Sequence, residues 1–597
     1  MRGRYLKRNH TSRYPSRFIF FDTETYRTQI SDSEYAHTFR LGYAIFWRRA
    51  THDCAESIEH YAITNIDAFF DWVVSKTLTK DRLLLLAHNV QFDAQVLSLF
   101  DHLGNRGFRL RKFITDYGKQ IWLFRNTDRT IIVADTLNWF KSSLKDLGKS
   151  VGKAKLNMPD FEADDVLWRE YCRNDVEILL SAMQQYLAFL EDNDLGTFGL
   201  TLPAQSFNAF RHRFMHHNLI VYKDEALAAL ARRSYFGGRC EAFRIGEFNN
   251  EPFYQLDVNS LYPFVMRNHQ YPIALVCLTE KRSYLDKACF GDIGKCIADV
   301  VVATELPVVP YRTKQNLIFP VGTFETTLAG PELALCWDLG LIKQIKRIAV
   351  FDTADIFTEY VDFFYHNRLQ AKANGDKARD YLHKLFLNSL YGKFGQKQQR
   401  MRVIAEEPGK ANEFWYEYET ESGKTKKFVR LNGAVIEYSD YIESHYAIPH
   451  IASFVTSYAR VHLLRLILAA GWRNVYYVDT DSLIVNVEGF ARLREFIDES
   501  KLGYLKLELV SDRLAIYGAK AYELGDKIKM RGIRADATRI DENDARRYKT
   551  YEFFSLMRNL ARGLSNAVIE RHFVKQAFRE YRKGNVGKDG FVEPIRF

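Results

Sequence analysis

The sequence predicts a multidomain chain that combines α/β and α+β units, and three observations predict it. The 597 residues suffice for several cores, and 47% of them are apolar. Short apolar runs of strand character stop at carboxylates, Phe18–Phe21 before Asp22 and Val475–Val478 before Asp479. Long helical patterns cover 354–372, 377–392 and 451–470.

Composition narrows the function classes. Net charge is +10 (84 basic minus 74 acidic residues) and aromatics make up 14%, a balance suited to phosphate attraction and base stacking. A nucleic-acid partner is expected. The seven cysteines form no CxxC pair, which argues for a reducing compartment and against structural zinc. No run approaches the ~18 apolar residues of a membrane span. The apolar stretch behind the basic N-terminus is too short for a secretory signal. A cytoplasmic location and no membrane partner are expected.

Taken in order, Arg17–Tyr26 is a strand ending in Asp22 and Glu24, which face one side because they are two apart. Leu83–Asp93 is a second strand followed by Asn89, Phe92 and Asp93, with Asp93 starting a helical pattern through Val96, Leu97 and Phe100. In Tyr171–Leu180, Tyr171 and Asp175 are four apart and share a helix face. Drawn together, the four acids and the tyrosine would hold two metals for phosphodiester hydrolysis.

Asp194–Pro203, punctuated by glycine and proline, is the expected boundary of this first unit. Ser234–Arg239 contains adjacent glycines that let main-chain amides approach phosphates. Tyr254–Pro263 is a strand carrying Asp257. With Asp479 it would give two acids from two strands of one sheet, a geometry for two-metal nucleotidyl transfer. Residues 354–372 and 377–392 form a helical hairpin about Asn374–Asp376. Lys384, Asn388 and Tyr391 fall on one face of its second helix, with Lys372 and Arg379 near the turn. Residues 396–430 are basic. The helix 451–470 is expected beneath the sheet that holds the Asp479 hairpin, with Asp481 at its tip. Leu514–Leu524 is expected as one strand with Lys520 and Tyr522 on one side, and Asp544–Arg582 as partly helical.

These segments, in this order, resemble the motifs of family B DNA polymerases, and the resemblance covers residues 22–522. The DTET, AHNVQFD and YCRND segments are similar to the three motifs of a 3′→5′ proofreading exonuclease of ribonuclease H-like fold. The segments DVNSLYP, KLFLNSLYGKFG, YVDTDS and AKAY are similar to those of a right-hand polymerase with palm, fingers and thumb.

The resemblance implies roles residue by residue. In the exonuclease, Asp22, Glu24, Asp93 and Asp175 hold metals and Tyr171 orients water. Thr25, Asn89, Phe92, Thr136 and Leu137 grip the frayed strand, and Lys155, with Lys153 as the neighbouring alternative, contacts the scissile phosphate. In the palm, Asp257, Asp479 and the Val258 carbonyl hold two Mg²⁺, or Mn²⁺ in their place, with Asp481 in support. Tyr262 excludes a 2′-hydroxyl. Lys384, Asn388, Tyr391 and Lys372 bind the deoxynucleoside triphosphate. Tyr235, Gly237, Gly238, Ser389, Gly392, Lys520 and Tyr522 contact the DNA primer-template. The 127 residues between Asp257 and Lys384 are similar in length to the protein-primed branch, which implies a terminal priming protein and strand displacement.

The expected division is exonuclease 1–195, palm 196–265 and 431–528, a priming-protein insertion 266–350, fingers 351–395, a second insertion 396–430 and thumb 529–597. The competing readings are a nuclease with a silent polymerase half, a non-catalytic DNA-binding scaffold, and a polymerase primed by nucleic acid or needing no primer.

Overall fold

The computed structural model describes residues 3–597 apart from 53, 117, 250, 282–291, 422, 542–545, 565–566 and 579. Its first unit is built on the strand Arg17–Gln29. Phe18 and Phe20 enter one core and Ile19 and Phe21 the other, so this strand is buried on both faces. It pairs in parallel with Arg82–Ala87, which pairs in parallel with Arg129–Asp135. On its other side lies Glu34–Arg48, antiparallel. The 28-residue helix Asp165–Asp192 covers one face and the helix Ile66–Ser75 the other.

The C-terminal stretch departs from expectation. It forms the strands Arg547–Phe553 and Val568–Gln576 and only a short helix, Leu556–Ala561. Val568–Gln576 pairs with Glu34–His37 and so extends the N-terminal sheet to ten strands. Alternation of Tyr548, Thr550 and outward charges favours strand over helix here. Asp544, the expected start of the helical stretch, lies outside the described residues.

The boundary stretch near 195 is packed. Leu195 is fully buried, and the Trp139 indole donates to the Gly199 carbonyl at 2.7 Å.

A central five-stranded antiparallel sheet follows, in the order Cys240–Ala242, Val475–Asp479, Ser482–Val485, Phe253–Val258, Leu505–Ser511. Beneath it runs Pro449–Ala470. By length and composition this helix could cross a membrane (mean hydropathy 1.3), but 72% of that window is buried inside the fold, as suits a core helix. Between the sheet's strands the chain inserts a four-stranded sheet (strands from Tyr271–Thr279 to Ile342–Ala354) with the helix Gly330–Asp338. The helical hairpin is Thr358–Ala373 and Lys377–Ser389, and the chain turns again into Tyr391–Phe394. Residue 354 ends a strand, so the first helix starts later than expected. The basic segment is a four-stranded antiparallel sheet that runs from Lys397–Glu406 to Ala434–Glu443, its first strand paired with its last, and ends thirteen residues past the expected limit of 430.

Arg460, on the core helix, and Glu332, on the helix Gly330–Asp338, form a buried two-pronged pair at 2.8 and 2.7 Å. Arg460 also donates to the carbonyls of Phe236 and Gly237. Removing one partner strands a buried charge, which costs about 3–5 kcal/mol, whereas replacing both by apolar groups is often near neutral. Arg460→Met should therefore lower the urea midpoint sharply, and adding Glu332→Leu should recover much of it. Equal midpoints for the single and double variants would contradict this.

Candidate active sites

In the N-terminal unit, the strand runs on past the expected acids to Gln29, and Asp22 and Glu24 stand in its middle, where its buried half gives way to its exposed one. Asp175 comes from the helix Asp165–Asp192, and Tyr171 lies one turn before it on the same inward face. Asp93 lies inside the helix Val90–Val96 rather than starting one, and the helical path breaks at Ser98 before resuming over Leu99–Asn105. One Asp93 oxygen accepts from the Thr23 hydroxyl at 2.7 Å and the Thr23 amide at 3.0 Å.

The four acids share one cleft. Burial, then the charge of Asp175, pushes the Asp22 carboxyl up to about 7. Burial, then Asp22 and Asp175, pushes Glu24 up to about 9. Burial and the Asp22 charge hold Asp93 far above its usual range. Lys155 makes an ion pair with Asp175 and lies 4.2 Å above the Tyr171 ring. Lys153 instead pairs with Glu177. Burial holds the Tyr171 phenol protonated, its pKa raised.

Carboxylate oxygens of Asp22 and Glu24 and the Cys172 sulfur lie within 4.8 Å of one another. The buried Asp175 Oδ1 has no hydrogen-bond partner among the described residues. An unpaired oxygen facing mutually repelling carboxyls fits a divalent cation, which takes oxygen ligands. Cys172 was not singled out from sequence, because a thiol beside a tyrosine on a helix carries no spacing signal.

Around the acids, Thr25 Oγ1 meets His37 Nδ1 at 2.8 Å, Asn89 is exposed, and Phe92 packs edge-on against Phe553 at 5.3 Å between centroids. Thr136 departs from its expected role. It is fully buried, donating to the Ala87 carbonyl at 3.2 Å, so of that pair only Leu137 is partly open to a strand. Phe553 was missed because it arrives from the far end of the chain.

In the central sheet, the strands of Asp257 and Asp479 flank Ser482–Val485, and both acids register with Ser482. Thr480 and Asp481 form a two-residue turn, with Thr480 at φ 67°. The Val258 amide donates to the Asp481 carbonyl at 2.7 Å, tying the Asp257 strand end to the turn. A Cβ built on Gly238 would stand 2.7 Å from the Thr480 side chain, so glycine is required for this approach. Gly237 is open. Tyr235 packs against Gly395, behind the loop. Burial, then Asp481 and Glu508, raises Asp257 to about 7. Burial, then Asp479 acting against its own main-chain hydrogen bond, raises Asp481.

Lys520 and Tyr522 do not share a strand face. Lys520 occupies the turn between Leu514–Gly518 and Ala521–Leu524, at φ 61°, and its ammonium lies 3.2 Å from Asp479. Tyr522 is 3% exposed, with its hydroxyl accepting from Gln255 and its ring 5.0 Å from Tyr477, so it supports the sheet. Lys527, which donates to Gln255 at 2.9 Å, joins the site without having been expected there.

On the helical hairpin, Lys384 and Asn388 are exposed on one face. Tyr391 stacks on Tyr262 at 4.5 Å and 21°. Ser389 donates to the Leu385 carbonyl at 2.6 Å. Lys372 is exposed near the turn, while Arg379 lies 3.5 Å from Asp192 of the N-terminal unit. A cleft of about 700 Å³ runs from Asn388, Ser389 and Gly392 past Lys393 to Lys119 and Tyr441.

Residues 163–469, just over half of the chain, match the model of DNA polymerase type B, organellar and viral. The chain belongs to this family. A relative, the DNA-directed DNA polymerase of Enterobacteria phage PRD1, is 29% identical over 60% of this chain and 59% of its own length. A relative from Neurospora intermedia is 27% identical over 56% of this chain and 35% of its own. The type B chain thus spans about a third to three fifths of these curated relatives. Its fold is that of Phi29 DNA polymerase in complex with primer-template DNA, with a TM-score of 0.67 and 16% identity over 94% of this chain and 100% of that one.

The raised carboxyls predict a pH dependence. An acid raised from 3.8 to about 7 (Asp22, Asp257) or from 4.5 to about 9 (Glu24) binds its proton more tightly folded than unfolded. Stability is therefore lost as pH climbs from about 4 to about 9. The metal-free thermal midpoint should fall over that range, and saturating Mn²⁺ should restore it most at the alkaline end. Glu24→Gln should flatten the profile between pH 7 and 9; an unchanged slope would contradict the assignment.

Proposed function

We propose that the chain is a replicative DNA-directed DNA polymerase with a 3′→5′ proofreading exonuclease. One observation carries the reading: two separate carboxylate clusters, each with a lysine paired to one acid, sit on two different sheets. Nucleotidyl transfer and phosphodiester hydrolysis both call for such a cluster. Asp257, Asp479 and the Val258 carbonyl would hold two divalent cations, Mg²⁺ or Mn²⁺, and Asp22, Glu24, Asp93 and Asp175 another two. When bound, they supply Lewis-acid stabilisation of charge on the reacting phosphate.

The chain's own groups do the rest. Asp481 adds negative potential beside Asp257. Lys384 meets the triphosphate, helped by Lys372, while Asn388 and Tyr391 face the nascent base pair. The Tyr262 ring, stacked on Tyr391, fills the space a 2′-hydroxyl would need. Lys520 exchanges Asp479 for the primer phosphate, and Gly237, Gly238, Ser389 and Gly392 line the duplex. In the exonuclease, Lys155 takes the scissile phosphate, Tyr171 orients the attacking water, and Thr25, Asn89, Phe92 and Leu137 hold the frayed strand. We assign the inserted sheet to a terminal priming protein and the four-stranded sheet of residues 397–443 to strand displacement, in keeping with the protein-primed branch. Its place of work would be the cytoplasm, that of the host if phage-encoded.

The test is a 5′-labelled primer on a longer template with Mg²⁺. Without deoxynucleotides it should shorten in a ladder, and with them extend fully. Asp479→Ala should abolish extension by at least about a thousandfold (~4 kcal/mol of barrier) and spare shortening. Asp22→Ala with Glu24→Ala should do the reverse. Loss of both activities in either folded variant would rule out two sites. Tyr262→Val should admit ribonucleotides, and unchanged sugar selection would remove its gating role.

A further inference from the structure

The strand Val568–Gln576 brings Glu570 into the N-terminal sheet, opposite Tyr35. Glu570 is 6% exposed. Its carboxylate accepts from Arg27 at 2.9 and 2.8 Å and from His37 Nε2 at 2.9 Å. Burial alone would raise its pKa, but hydrogen bonds from Arg27, His37 and His572 outweigh that and hold it at about 2. A carboxylate anion only accepts, so His37 carries its proton on Nε2.

Burial lowers the His37 pKa against the pull of Glu570, so the ring is neutral at neutral pH and its Nδ1 is bare. That nitrogen lies 2.8 Å from Thr25 Oγ1 and accepts a hydrogen bond from the hydroxyl. Thr25 then offers only lone pairs to whatever lies in front of it. Phe92 and Phe553 close over the His37 ring at 5.9 and 5.3 Å. The charged groups that act on His37 are Glu570 and Arg27, with His572 on the far side of Glu570.

Thr25 follows Glu24 directly, next to the bond that the exonuclease would cut. We propose that Glu570, acting through His37, sets Thr25 as a hydrogen-bond acceptor that selects a single DNA strand ending in a 3′-hydroxyl. The inference rests on the exonuclease reading and on Thr25 as a strand contact. A 3′-hydroxyl donates to a lone pair; a 3′-deoxy end has no donor there, and a 3′-phosphate opposes an acceptor to an acceptor. Glu570 is a positioning residue and touches no DNA.

The experiment compares binding of fluorescent single strands with 3′-hydroxyl and 3′-phosphate ends to the full chain, by anisotropy with Ca²⁺ in place of Mg²⁺. The natural chain should prefer the 3′-hydroxyl by at least about three- to tenfold, the worth of one hydrogen bond. In His37→Gln, the amide nitrogen keeps donating to Glu570 but nothing stands at the Nδ1 position, so the freed Thr25 hydroxyl can donate to a phosphate oxygen. The preference should narrow by about three- to tenfold through tighter binding of the 3′-phosphate strand, with the thermal midpoint and the affinity for the 3′-hydroxyl strand unchanged. Glu570→Gln should narrow the preference too, and His37→Gln decides the matter if that variant fails to fold. Shortening of strands with no 3′ preference, or a preference of unchanged size in His37→Gln, overturns this inference alone. Absence of both binding and shortening overturns the exonuclease reading with it.

Discussion

Like charges held at close range govern this molecule. Carboxyls placed together in partly dry clefts repel one another, and burial penalises each ionised form. A fold that needs such clusters must hold them from several elements at once, so that none can swing away. The N-terminal cluster draws on the strand Arg17–Gln29, the helix Val90–Val96 and the helix Asp165–Asp192. The central cluster draws on two strands that flank a third. In each, one lysine, Lys155 or Lys520, sits against one acid. Each lysine offsets part of the repulsion in its cluster.

The turn at Thr480 shows how far the support reaches. Its left-handed backbone is uncommon for threonine and needs surroundings that hold it. The Thr480 amide donates to the Arg239 carbonyl, and Gly238 presses against its side chain. Arg460 grips the carbonyls of Phe236 and Gly237 in the same loop, and Glu332 of the inserted sheet's helix grips Arg460. A continuous buried path thus joins an insertion to the hairpin that carries Asp479.

Much of this was legible in the sequence, and physics says which part. Asp22, Glu24, Asp257 and Asp479 announce themselves because an apolar run that stops at an acid is a local pattern. Tyr171 with Asp175, and Lys384 with Asn388, follow from helical spacing. The hairpin at Lys520 was hidden because a left-handed residue other than glycine or asparagine leaves no sign in composition. Burial of Thr136 and Tyr522 depends on neighbours distant in sequence. The strands near 550 and 570 did alternate, but nothing local says that their partner lies near residue 35.

That last pairing bears on how the protein is made. The N-terminal sheet leaves the ribosome early, yet Glu34–His37 finds its partner only after residue 568 has been translated. At about 5–20 residues per second, that strand edge stays open for roughly half a minute to two minutes of synthesis. An open edge invites pairing with other chains. Here it carries Glu34 on one face and His37 on the other, polar side chains that discourage unwanted partners until Val568–Gln576 arrives. The N-terminal sheet is thus completed only once residues 568–576 have been made, so a chain that stalls before them would carry an unfinished sheet.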